Sequence, residues 1–141
     1  MAPESPRPSG IVLAEPAPAT AYRPRVLLVD DNRDATELLS MFLEERGVEA
    51  ATARTGAQAV ERAGSLRPDV VVLDLGLPDM DGYAVLEHLR AIEELRGSRF
   101  IALTGRTGRD ELQRMREAGF HHQLSKPTNL EKLVELIKNT R

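Results

Sequence analysis

The chain has 141 residues, with 19 Lys and Arg against 22 Asp and Glu, and no cysteine. This is room for one domain plus a tail, a formal net charge of −3 that argues against direct DNA or RNA binding, and a composition that excludes disulfides, thiolate metal sites and cysteine nucleophiles. No apolar run approaches the ~20 residues needed to cross a bilayer, and the opening MAPESPRPSG lacks the basic-then-apolar order of a secretory signal, so the expectation is a cytoplasmic protein without membrane insertion.

Residues 1–23 read as a Pro/Ala-rich leader or interdomain linker, because Pro3, Pro6, Pro8, Pro16 and Pro18 remove donors and disfavour helix around them. The domain proper is expected over 24–141. Residues 26–29 (VLLV) form a first strand ending in Asp30-Asp31. A helix follows over 34–46 with Leu38, Leu39, Phe42 and Leu43 as its apolar stripe, Asn32 and Asp34 as candidate caps and Gly47 closing it. A weak strand at 48–53 and a helix at 55–63 come next. The third strand, 70–73, is apolar throughout, which suits a strand covered on both faces. Residues 83–95 read as one amphipathic helix, 100–103 as the fourth strand, 109–118 as a polar helix closed by Gly119, 120–124 as a fifth strand, and 130–137 as the closing helix.

Strands alternating with helices predict a mostly parallel, doubly wound sheet with helices on both faces. Ligands of such sheets bind beyond the carboxyl ends of the strands, near the switch in strand order. Those ends carry the pointed chemistry here: Asp30-Asp31, Asp74, Thr104-Gly105 and Ser125-Lys126-Pro127. Three carboxylates on one rim raise one another's pKa or recruit a cation. Their hard oxygens suit Mg²⁺, with Mn²⁺ as a substitute, and the Gly76 carbonyl is a further candidate ligand. Asp74 lies between the acidic pair and the Thr104/Lys126 side, so it is the candidate nucleophile for an aspartyl phosphate. Lys126, the Thr104 hydroxyl and backbone N–H groups would offset the charge on a transferred phosphoryl group, and Gly105 leaves room for it. Each piece has an ordinary reading by itself: a helix cap, a turn or a surface lysine. Their conjunction, in order and each at a strand end, favours a site.

The stretches RVLLVDDN, DVVVLDLGLPDMDGY, IALTG and LSKP resemble the receiver domains of bacterial two-component signalling, over roughly residues 24–140. The resemblance implies a flavodoxin-like sheet of order 2-1-3-4-5. It also implies metal binding by Asp30 and Asp31, phosphorylation on Asp74, the Gly76 carbonyl as a ligand, Thr104 as the switch hydroxyl and Lys126 as the family's lysine. The implied partner is a histidine kinase dimerisation/phosphotransfer domain or a histidine phosphotransfer protein. A receiver of this kind catalyses its own phosphorylation and autodephosphorylation and turns over no metabolite. Two origins stay open, a stand-alone regulator and the C-terminal receiver of a hybrid sensor kinase.

One position departs from the pattern: the family's aromatic switch, three residues before the lysine, is Gln123 here. Tyr83 and Phe120 are expected to pack. His121 and His122, neighbours in the expected fifth strand, would face opposite ways and make a poor joint metal site. Arg106 and Arg109 fall near the rim. The alternative function is a phosphorylation-independent interaction module on the same fold. A metal-dependent phosphatase would need a second acidic residue just after the nucleophile, where Leu75 and Gly76 stand. Nucleotide use is disfavoured because no GxxxxGK loop is present.

Overall fold

A computed structural model describes residues 23–105 and 108–139. Most of the expected leader, and Arg106, therefore lie outside the described residues. Five parallel strands form the sheet: β1 (Arg25–Val29), β2 (Glu49–Ala53), β3 (Val70–Asp74), β4 (Arg99–Thr104) and β5 (His122–Ser125). Their order is β2-β1-β3-β4-β5, as the family resemblance implies. The helices are α1 (Arg33–Glu45), α2 (Gly56–Leu66), α3 (Gly82–Arg90), α4 (Arg109–Ala118) and α5 (Leu130–Lys138).

The apolar runs of β1, β3 and β4 split between two cores because successive strand side chains face opposite ways. Leu27, Val29, Val71, Leu73, Phe100 and Ala102 pack with Ala59, Ala63, Val85, Leu86, Leu89 and Met115 from α2, α3 and α4. Val26, Leu28, Val70, Val72, Ile101 and Leu103 pack on the other side with Leu43, Leu133, Val134 and Ile137 from α1 and α5. Each fully buried aliphatic side chain contributes about 1.5–3 kcal/mol of transfer free energy. The central strands are thereby fixed in register, Val26 and Leu28 of β1 opposite Val70 and Val72 of β3. That register brings the C-terminal ends of β1, β3 and β4 to one rim.

Caps set the helix starts. The Asn32 carbonyl Oδ1 accepts from the Ala35 N–H at 3.0 Å, so Asn32 is the cap of α1 and Asp34 lies in its first turn. Thr55 caps α2 and Asp81 caps α3 in the same manner. Gly47 and Gly119 close α1 and α4 at φ 84° and 117°. At Gly119 the Phe120 N–H returns to the Met115 carbonyl and the Gly119 N–H to that of Arg116, which satisfies the last turn.

Two expectations are corrected. The helix read over 83–95 is two pieces: α3 ends at Arg90, and a 3₁₀ turn occupies Glu93–Leu95. Ile92 and Leu95 still point inward, so the apolar period persists while the hydrogen bonds tighten to i→i−3. Glu93 and Glu94 would sit badly at a helix C-terminus and suit a new start instead. The fifth strand begins at His122, not at Phe120, because Phe120 is still engaged in closing α4.

Candidate functional site

The rim places the expected side chains side by side. Asp74, the last residue of β3, is only 4% exposed. Its Oδ1 accepts from the Gly76 N–H at 2.9 Å, and its Oδ2 accepts from the Lys126 ammonium at 2.8 Å. Lys126 Nζ is also 3.9 Å from Asp30 Oδ2. Asp30 follows β1 and is 9% exposed, and its Oδ1 accepts from the Asn32 N–H at 3.0 Å. Asp31 is exposed beside it. Asp30, Asp31 and Asp74 each present a carboxylate oxygen within 4.8 Å of the others.

Thr104 ends β4 and is buried. Its carbonyl accepts from the Lys126 N–H at 2.9 Å, which ties the turn after β5 to the end of β4 and aims Lys126 at Asp74. The Lys126–Pro127 peptide is cis. Beyond Asp74, the Asp79 carboxylate accepts from the Gly56 and Ala57 N–H groups at 3.0 and 3.2 Å, pinning the loop to the start of α2. Gly82 is buried, and a Cβ there would run into the Leu75 backbone; glycine lets α3 press against the residue after the nucleophile candidate.

The electrostatics fit a cation site. Burial pushes the Asp30 carboxyl up; the Asn32 N–H opposes this and the Asp74 charge adds to it. Burial pulls the Lys126 ammonium down, but its bond to Asp74 and the charges of Asp74, Asp30 and Asp31 outweigh that and hold it above its ordinary value. Three carboxylates that offer hard oxygen donors within 4.8 Å of one another suit a small divalent ion such as Mg²⁺. The residues that would hold it are Asp30, Asp31 and Asp74.

The cleft over these groups has a volume of about 750 Å³. Gly76, Thr104 and Gly105 line it with the three aspartates and Lys126, as the strand-end argument requires. Gln123 is not brought there. It lies exposed on β5, the edge strand, in a shallow depression with Arg116, His121, His122 and Lys132. Arg109 begins α4 and is exposed outside the cleft lining.

His121 precedes β5, so the alternation argument does not apply to the His121–His122 pair. The ring has a structural task instead. Its Nδ1 accepts from the Phe100 N–H at 3.0 Å and the ring stacks on Phe100. Sequence reasoning missed Asp79, whose partners lie 22 and 23 residues away. It also missed Asp81, Glu111 and Arg114, which line the cleft from α3 and α4. The Asp81-Gly82-Tyr83 start of α3 carried a readable capping signal; Glu111 and Arg114 carried none. Tyr83 packs edge-on against Phe120, as expected, but also forms part of the cleft wall.

A doubly wound sheet with an acidic rim and a lysine on the central carboxylate defines a class of α/β signalling switches. The chain belongs to the response regulator receiver domain family, whose pattern it matches over residues 26–138. The polar-differentiation response regulator DivK of Brucella anthropi is 32% identical over 114 residues, covering 81% of this chain and 93% of that protein. DivK of Brucella ovis matches to the same extent. The chemotaxis response regulator CheY4 of Vibrio cholerae superposes with a TM-score of 0.78 at 28% identity, covering 85% of this chain and all of that one. The signal receiver domain of a Luxo repressor protein from Vibrio parahaemolyticus gives 0.76 at 27% identity, covering 84% and 90%.

Proposed function

We propose that Asp74 is a phosphoacceptor that takes a phosphoryl group from a phosphohistidine on a histidine kinase or a histidine phosphotransfer protein. The observation that carries this reading is the Lys126–Asp74 bond of 2.8 Å beside two further carboxylates. The free lone pair of an Asp74 oxygen attacks phosphorus while the donor's N–P bond breaks. The leaving imidazole keeps that electron pair and takes up a proton. Lys126 and backbone N–H groups hold the equatorial oxygens, with the Thr104 hydroxyl beside them. Mg²⁺, or Mn²⁺ in its place, would be held by Asp30, Asp31, Asp74 and the Gly76 carbonyl and would supply charge compensation there. Water attack on the acyl phosphate later returns the carboxylate and releases inorganic phosphate.

A protein donor is favoured over a small metabolite by the surface beside the rim. Leu38 and Met41, one turn apart on α1, are 69% and 63% exposed. Leu38 borders an apolar groove of about 370 Å³ that also touches Asp30 and Lys126. An apolar surface continuous with the reacting groups suits a protein partner.

Phosphoramidate, a small donor with the same N–P bond, tests the chemistry. With Mg²⁺ the intact mass is expected to rise by ~80 Da, one phosphoryl group. Asp74→Asn is expected to show no rise. A rise that survives in Asp74→Asn would move the acceptor elsewhere. No rise in the folded wild-type protein would favour a phosphorylation-independent interaction module.

A further inference from the structure

The cleft holding Asp74 has a second cation on its wall. Arg114, from α4, lines it together with Lys126. Lys126 is already engaged, bonded to Asp74 at 2.8 Å and 3.9 Å from Asp30. Arg114 is held differently. Its guanidinium lies over the Tyr83 ring, 4.0 Å from the centroid. The Tyr83 ring is itself anchored, edge-on to Phe120 with centroids 6.1 Å apart. The Tyr83 hydroxyl is buried and has no hydrogen-bond partner among the described residues.

We infer that Arg114 is the phosphoryl-sensing cation of this site: when Asp74 is phosphorylated, the guanidinium leaves the Tyr83 ring and pairs with the phosphoryl oxygens. This rests on the phosphoacceptor reading. Phosphorylation replaces one negative charge on Asp74 with about two. Asp30, Asp31 and Asp81 line the same cleft, so Lys126 and the Mg²⁺ of the proposed function share their positive charge among these carboxylates as well as the phosphoryl group. Arginine's planar fork matches phosphate oxygens two at a time. A guanidinium stacked on a ring at an exposed site is weakly held by comparison, so the exchange runs toward phosphate. The departure uncovers one face of Tyr83 and alters the surface of α4. The signal is thereby carried by α4, while Gln123 stays on the exposed edge strand, outside the cleft.

Tyr22 and Tyr83 are the two tyrosines of the chain, so Tyr22→Phe leaves Tyr83 as the sole tyrosine ring to observe by NMR with selective tyrosine labelling. Phosphoramidate and Mg²⁺ are added to the full chain while intact mass is followed in parallel. The expected result is movement of the Tyr83 ring resonances in step with the mass gain, with the Arg114 methylene signals losing their ring-current shift. Arg114→Gln, an exposed substitution, should abolish the Tyr83 movement and lower the phosphorylated fraction at a fixed donor concentration about 3–10-fold. Arg114→Lys, which keeps the charge but lacks the fork, should fall between the two. A full mass gain with the Tyr83 and Arg114 signals unmoved would overturn the inference. An absent mass gain would overturn the phosphoacceptor reading, and this inference with it.

Discussion

The two ends of the sheet use acidic residues in opposite ways. At the N-terminal end, Asp69 is a staple. Its Oδ2 accepts from the Arg25 N–H at 2.8 Å, its own N–H donates to the Arg25 carbonyl at 2.8 Å, and its carbonyl accepts from the Arg99 N–H at 2.9 Å. One residue thus ties together the starts of β1, β3 and β4. Ser98 and His121 act alike there, on the Pro68 carbonyl and the Phe100 N–H. At the C-terminal end three carboxylates crowd within 4.8 Å of one another beside Lys126, and at Asp30 the desolvation by burial is offset only in part by the Asn32 N–H. Polar groups at the first end hold the fold, whereas those at the second are the ones the proposed function assigns to metal and phosphoryl binding.

Substitutions at the two ends should separate along that line. The largest expected effect is at the acidic rim. Lys126→Met keeps most of the unbranched stem of the side chain and removes its charged end. Phosphorylation by phosphoramidate should slow by about 100-fold, read as the initial rate of mass gain. A rate within a factor of two of wild type would show that Lys126 only fills space. A smaller effect of a different kind is expected at the opposite end. Asp69→Ala loses the Arg25 bond and should lower unfolding free energy by about 1 kcal/mol in urea melts, with the phosphorylation rate unchanged. A slowed rate in that variant would erase the distinction between the two ends.

The smallest expected effect is a pH dependence. Burial holds the His121 imidazole below its ordinary value, with the Arg99, His122 and Arg90 charges adding to it and the Phe100 N–H bond opposing. Protonation is therefore easier in the unfolded chain. The stability contributed by the neutral ring is complete above the unfolded pKa and is lost as pH falls from there through the lowered folded value. The loss should be about 0.5 kcal/mol after solvent screening. Melts at pH 7.5 and 5 for wild type and His121→Gln check it, the variant showing the shallower change.

The strands were legible because burial on two faces leaves unbroken apolar runs, and VLLV and VVVL are such runs. The site was legible because a parallel sheet brings strand ends together, so Asp30, Asp31, Asp74, Thr104 and Lys126 could be grouped without coordinates. What stayed hidden depends on hydrogen bonding or on contacts across the fold. The break after Arg90 leaves the apolar period intact, so period alone could not reveal it. The start of β5 was masked because Phe120 is apolar and buried in either role. Nothing local in the sequence marked Asp79, because its partners sit at the start of α2. Arg114 looked like one more charge on a polar helix, and only packing against Tyr83 places it on the cleft wall.

The contrast between the two ends is tested most directly by titrating Mg²⁺ into the unphosphorylated protein and following backbone amide resonances. The account predicts saturable shifts at Asp30, Asp31 and Asp74 through Gly76, none at Arg25, Asp69 or Arg99, and loss of the response in Asp31→Asn. Shifts spread evenly over both ends, or none at the acidic rim at millimolar Mg²⁺, would contradict it.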